Sequence, residues 1–331
     1  MKSLVQVGSA EMVAANNFGN SVVEEFIASR NASENTNKTY RNALRQLVKF
    51  FAANGIMQPA ESDINAFIAG LKAQKKSAPT IRLYTTVCKS FFSFTARKGY
   101  YANIAADVTL KLRKATTHAK KSLTDVQAKA LLASVKGDGL QARRARAIIA
   151  LALVCGLRTV EISRANVGDL SDDGQGGYFL SVQGKGRIQK DAVVRVPAQV
   201  AKLVDEYLSL RGNVKDDSPL FVSESRNVAW TKPTKKRKAN SYGERLSEQS
   251  VGKLIKRQMK FVGIDNKKIT AHSCRHFAAT TAIKAGIDIR EVSAMLRHSS
   301  LVVTSVYLHD LSVESRRAEM SVADSLFGGA A

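Results

Sequence analysis

Apolar side chains recur at helical spacing from the first part of the chain onward. Val22, Val23, Phe26 and Ile27 form a short stripe, and Tyr40, Leu44, Leu47, Val48 and Phe51 carry a second one over Thr39 to Ala53. Asn54-Gly55 ends that stretch as a left-handed cap would. Ser62-Asp63 opens a helix through Ile64, Phe67, Ile68 and Leu71. Ala78-Pro79-Thr80 opens another through Ile81, Tyr84, Val87, Phe91, Phe92 and Phe94, closing near Gly99. The pattern predicts an all-helical first unit.

The segment Lys111 to Lys121 is polar and basic and has no apolar period, so it reads as a linker. Helical spacing returns at Leu123-Thr124-Asp125, with Val126, Ala130, Leu131 and Leu132, and Ala142 to Leu157 reads as a buried helix. The period then changes. Tyr178–Val182 and Ala192–Val196 are aromatic or β-branched runs, and Gly184-Lys185-Gly186 lies between them, which predicts a hairpin. Helices follow Pro197 to about Leu210 and resume at Ser247. The expected fold is therefore mainly α with a small β-sheet. A flexible tail (1–17) precedes a helical domain (18–110), a basic linker (111–121) and a mixed α+β domain (122–310). A C-terminal tail (311–331) carries a short apolar face of Val322, Leu326 and Phe327.

Composition adds a partner to this outline. Of 331 residues, 44% are hydrophobic and 24% charged, an ordinary globular balance. Lys and Arg number 51 against 28 Asp and Glu, a net charge of +23 with a pI near 10.0. Such an excess, present in both halves of the chain, points to a polyanion, above all nucleic acid. The candidate phosphate contacts are Lys111, Arg113, Lys114, Lys120 and Lys121 in the linker, and Lys235, Lys236, Arg237 and Lys238 in a second basic loop. The longest apolar run, Ala147 to Leu157, is eleven residues. A membrane span needs about 20, so no membrane partner is expected. The N-terminus lacks the apolar core of a secretory signal. Three cysteines, Cys88, Cys155 and Cys274, make no disulfide framework, and a cytoplasmic location is expected.

The candidate chemistry lies in three stretches. Cys155-Gly-Leu-Arg-Thr-Val-Glu161 places Arg158 just after the apolar helix, with Glu161 three residues on. In Thr270-Ala-His-Ser-Cys-Arg-His-Phe-Ala-Ala-Thr280, His272 and Arg275 are three apart and share a helical face. Leu296-Arg-His-Ser-Ser-Leu-Val-Val-Thr-Ser-Val-Tyr307 brings His298 and a tyrosine. Each alone has an ordinary explanation: a helix ion pair, a solvated face, a half-buried ring. His272, Cys274 and His276 do not read as a zinc set, because residues two apart on a helix point to different faces; no metal or cofactor is expected.

Together, in this order and spacing, the stretches resemble the tyrosine recombinase (phage integrase, Xer-like) family over about residues 20–310. Val154 to Ile162 matches its first catalytic block, His272 to Thr280 the second, and Leu296 to Tyr307 the third; the family's β-hairpin lysine falls on Lys185. Cys274 stands for the usual Leu, Phe277 for Ser/Thr, and Arg297 for the Gly before the histidine. The last matters most, because glycine there permits a tight turn; an extra arginine beside the scissile phosphate is the other reading.

The resemblance implies a helical SAM-like core-binding domain and an α+β catalytic domain closing as a C-shaped clamp on DNA. It implies site-specific recombination without ATP: Tyr307 attacks the scissile phosphate, Arg158 and Arg275 neutralise it, His272 assists proton removal, His298 bonds a phosphate oxygen, and Lys185 protonates the leaving 5′ hydroxyl. Glu161 would orient Arg158. Inverted half-sites in double-stranded DNA, a homotetramer, a Holliday junction and an accessory DNA-bending or directionality factor complete the expectation. The alternatives are a type IB topoisomerase-like nicking-closing enzyme and a non-catalytic DNA-binding descendant.

Overall fold

A computed structural model describes residues 15–110, 122–184, 187, 189–212, 214–223, 243–298 and 300–309. The chain divides into two compact units, Met1–Lys114 and Ala115–Ala331. Most elements are helices, and the one multi-stranded sheet described has three strands.

The first unit holds α1 (Ala15–Ala28), α2 (Glu34–Ala53), α3 (Glu61–Ala73) and α4 (Ala78–Arg97). Two helix starts lie earlier than the apolar spacing suggests. α1 reaches back into the segment read as a tail. α2 begins about a turn before Thr39, because the Ser33 hydroxyl accepts from the Thr36 N–H at 3.3 Å and caps it. Ser77 caps α4 in the same way. The stripes meet in one core of Phe26, Ile27, Leu44, Leu47, Ile64, Val87 and Phe92, where Phe26 meets Phe91 edge-on at 5.4 Å. Val48, which the spacing assigns to the buried face, is exposed.

The second unit begins with α5 (Asp125–Ala133), opened by a Thr124–Gln127 capping box. α6 (Leu140–Leu153) has no polar face over its last two turns: every side chain from Ala145 to Leu153 except Arg146 is buried. It ends before Leu157, the end the apolar run implies, because Gly156 turns left-handed at φ +59°. α7 (Thr159–Arg164) follows at once, then β1 (Leu170–Asp172), β2 (Tyr178–Val182) and β3 (Ala192–Val196) in an antiparallel sheet of that order. The β2–β3 register runs from Tyr178 opposite Val196 to Val182 opposite Ala192. Leu180, Val182, Val194 and Val196 point into the core. β1 lies outside the sequence reading: it is three residues long and mostly exposed, with no alternation to detect. Val126, one of the apolar positions at helical spacing, is exposed.

α8 (Ala198–Ser209), α9 (Glu248–Phe261), α10 (His272–Lys284), α11 (Ile289–Leu296) and α12 (Leu301–His309) complete the unit. No helix among the described residues is long and apolar enough to cross a membrane.

Gly156 is the joint that turns the chain from the core helix into α7. A Cβ there would meet Leu296 Cδ2 at 3.0 Å, on top of the positive φ. Gly156→Ala is expected to lower unfolding free energy by at least about 1–2 kcal/mol, the cost of a left-handed side chain, as measured by chemical denaturation.

Candidate active site

Arg158 is the N-cap residue of α7, extended at φ −73°, ψ 151°. Its backbone N–H donates to Glu161 Oε2 at 2.7 Å and its Nη1 to Glu161 Oε1 at 2.8 Å. The same carboxylate thus satisfies a free amide of the first turn and fixes the guanidinium. Glu161 has no exposed surface. Burial pushes its carboxyl up, but the charge and hydrogen bond of Arg297, the Arg158 N–H and the charge of Arg275 outweigh this, and it sits below its ordinary value.

Arg275, on the first turn of α10, is 1% exposed. Its Nη1 donates to Gly156 O at 2.6 Å and its Nη2 to Leu296 O, so the chain turn after α6 and the end of α11 hold one edge of the guanidinium. Its Nε has no hydrogen-bond partner among the described residues. Nη1 lies 3.9 Å from Glu161. Burial, then the charges of Arg158 and Arg297, pull Arg275 down to about 9, so it stays protonated at neutral pH.

Arg297 follows α11 in the left-handed region, φ 55°, ψ 47°. The turn expected of glycine is therefore kept. Its side chain turns inward, with Nη2 2.7 Å and Nε 3.3 Å from the Glu161 oxygens. Three arginines meet one carboxylate, an excess of positive charge that an incoming anion would balance.

Tyr307 on α12 is 1% exposed and packs with Ala279, Val292 and Leu296. Its ring lies edge-on to His276 at 5.2 Å and parallel to His298 at 6.2 Å. His298 Nδ1 pairs with Thr304 Oγ1 at 2.8 Å, which leaves Nε2 for another partner. Burial, reinforced by Arg275, Arg158, His272 and Arg297, pulls His298 down to about 4, so its ring is neutral at pH 7. His272, the first residue of α10, is exposed and 4.8 Å from the His276 ring. A groove of about 580 Å³ runs past Arg158 and His272, bounded by Glu248, Lys256, Lys267 and Ile269.

Arg158, Glu161, His272, Arg275, His298 and Tyr307 are thereby linked through shared contacts. Lys185 lies outside the described residues, but Gly184 before it accepts from Arg164 Nη1 at 3.1 Å, which ties the start of its loop to α7. Lys111, Arg113, Lys114, Lys120, Lys121, Lys235, Lys236, Arg237, Lys238 and the 311–331 tail also lie outside the described residues. Sequence reasoning gave no role to Thr304, to the Gly156 carbonyl or to Arg164. Only Thr304 left a signal, as the threonine three residues before Tyr307. Cys274 is fully buried and burial pushes its thiol up to about 12; no group of three His, Cys, Asp or Glu among the described residues is placed to hold a metal.

Comparison with known proteins gives the family and the fold. Residues 121–313 match the phage integrase family, and residues 23–99 match the phage integrase N-terminal SAM-like domain. The tyrosine recombinase XerA of Pyrococcus furiosus is 29% identical over 310 residues, covering 93% of this chain and 96% of its own. The tyrosine recombinase XerC of Thermodesulfovibrio yellowstonii is 27% identical over 289 residues, covering 84% and 86%. Among solved structures, a XerH site-specific recombinase in a post-cleavage complex with palindromic difH substrate shares the fold, with a TM-score of 0.69, 22% identity, and coverage of 96% of this chain and 88% of the other.

The depressed His298 gives a stability test. In the unfolded chain a histidine titrates near 6.5, so between about 6.5 and about 4 the unfolded state binds more protons, and this contribution to stability is lost as pH falls through that window. His298→Gln is expected to lose less melting temperature than wild type over the same interval, read by thermal melts without DNA.

Proposed function

The chain belongs to the phage integrase family and is a site-specific tyrosine recombinase, an enzyme that cleaves and rejoins DNA, and from this premise we propose that Tyr307 is its nucleophile. The observation that carries the assignment is the cluster itself: a tyrosine against two histidines, beside a buried carboxylate that holds three arginines.

A phosphodiester is anionic and repels a nucleophile until its charge is met. Arg158 and Arg275 would meet the non-bridging oxygens, Arg275 through its Nε, which is buried and has no partner among the described residues, once the chain covering it shifts. Tyr307 Oη attacks phosphorus, and the bond to the 5′ oxygen breaks. His272 takes the phenol proton, and Lys185 gives a proton to the departing 5′ oxygen. A neutral His298 that accepts from Thr304 at Nδ1 carries its proton on Nε2 and donates it to a phosphate oxygen. The product is a 3′-phosphotyrosyl link and a free 5′ hydroxyl. Attack by a 5′ hydroxyl of the partner strand reverses the step, so one phosphodiester replaces another and ATP is not needed. Tyr307 is covered in the free protein, so α12 must shift before the phenol reaches a phosphate.

Around this chemistry, both units would contact inverted half-sites in double-stranded DNA, in the cytoplasm. The basic linker and the Lys235–Lys238 loop contact phosphates, and the 311–331 tail docks on a neighbouring protomer in a tetramer that passes through a Holliday junction. A DNA-bending or directionality factor would bias the outcome. Family membership favours recombination over the topoisomerase-like and binding-only alternatives.

A nicked duplex carrying the native site, sought in the flanks of the gene, tests the nucleophile. Wild type is expected to give a covalent protein–DNA band on a denaturing gel, and Tyr307→Phe none despite unchanged binding. A band from Tyr307→Phe would overturn the assignment. Lys185→Ala should slow cleavage of the ordinary duplex, and a sulfur in place of the bridging 5′ oxygen should restore it, because a thiolate (thiol pKa about 8.5) leaves without protonation. Equal slowing on both substrates would remove Lys185 from the general-acid role.

A further inference from the structure

Arg297 occupies a position where a side chain is costly. Its backbone is left-handed, and Lys75 is the other non-glycine residue with positive φ among those described. Lys75 is exposed; the Arg297 side chain is 11% exposed and ends against a fully buried carboxylate. Each of its three nitrogens has a partner inside the protein. Nε and Nη2 reach the two oxygens of Glu161, and Nη1 donates to Met295 O at 2.5 Å. These contacts aim the Arg297 side chain at the Glu161 carboxylate.

Its effect is on charge. Arg158 and Arg275 against Glu161 leave one net positive charge, which matches a phosphodiester before reaction. With Arg297 the excess is two, which matches the pentacovalent transition state, where both non-bridging oxygens are charged. An interaction that is stronger in the transition state than in the ground state raises the rate of the chemical step rather than the affinity.

We propose that Arg297 is a positioning residue that offsets the buried charge of Glu161, so that Arg158 and Arg275 face the dianionic transition state with their full positive charge. The proposal rests on the roles given above to Tyr307, Arg158 and Arg275.

The experiment uses the full-length protein and the nicked duplex at saturating concentration, reading the single-turnover rate of covalent complex formation, with DNA affinity measured separately. Arg297→Gly is expected to slow that rate by about 10- to 100-fold, with affinity changed by less than about threefold. The double variant Arg297→Gly/Glu161→Gln removes one charge of each sign and restores the excess of two, so it should recover most of the lost rate. A purely structural pair would recover rate only together with melting temperature, read without DNA, whereas here the rate follows the charge excess whatever the melting temperature. Should Arg297→Gly fail to fold, Arg297→Lys and Arg297→Met make the comparison at similar size, and Lys should be faster by about tenfold.

Wild-type rate in Arg297→Gly, no recovery in the double variant, or equal rates for Lys and Met would each overturn the proposal while leaving Tyr307 as nucleophile. Absence of a covalent band from wild type would overturn the proposed function, and this inference with it.

Discussion

A carboxylate with no exposed surface must be matched by positive charge and hydrogen bonds, or it gives up its own charge. Glu161 is matched from several sides, and the matching organises the catalytic half of the chain. One oxygen closes the first turn of α7 on the Arg158 amide; the pair together hold the Arg158 and Arg297 guanidiniums; Arg275 stands 3.9 Å away. These residues come from the start of α7, the first turn of α10 and the end of α11. The carboxylate thus fastens three separate pieces of chain at one point. It is also outnumbered, and the residual positive charge is what an anionic substrate would find.

The apolar framework delivers these groups to that point. α6 is buried nearly all round and anchors the second unit's core, so the turn after it is fixed in space. Gly156 makes the turn and lends its carbonyl to Arg275. The end of α11 lends the Leu296 carbonyl, while the Leu296 side chain packs under Tyr307. Two backbone carbonyls fix one edge of the Arg275 guanidinium, while its buried Nε has no partner among the described residues.

Much of this was legible before the fold. The long helices, β2 and β3 followed from period alone, because their apolar positions repeat with the geometry of the element. The boundaries were less legible. Ser33 set the start of α2 through a cap rather than a stripe, and Gly156 ended α6 inside an apolar run. β1 is too short to show a period. At the site, the resemblance of three stretches to the recombinase family named Arg158, Glu161, His272, Arg275, His298 and Tyr307. The contacts that orient them were hidden. Carbonyl acceptors such as those of Gly156 and Leu296 leave no trace in residue identity, and nothing in the residue types places the Arg297 side chain on Glu161.

The central claim is that this site works by offsetting phosphate charge with arginine. The most direct measurement replaces the scissile phosphodiester by a methylphosphonate, which has one non-bridging oxygen fewer and no negative charge. The cleavage rates of wild type and Arg158→Ala are then compared on both substrates. On the phosphodiester Arg158→Ala is expected to lose about 10²- to 10³-fold, and on the neutral substrate only a small part of that. An equal loss on both substrates would contradict the account, because Arg158 would then be acting through shape or folding rather than through charge.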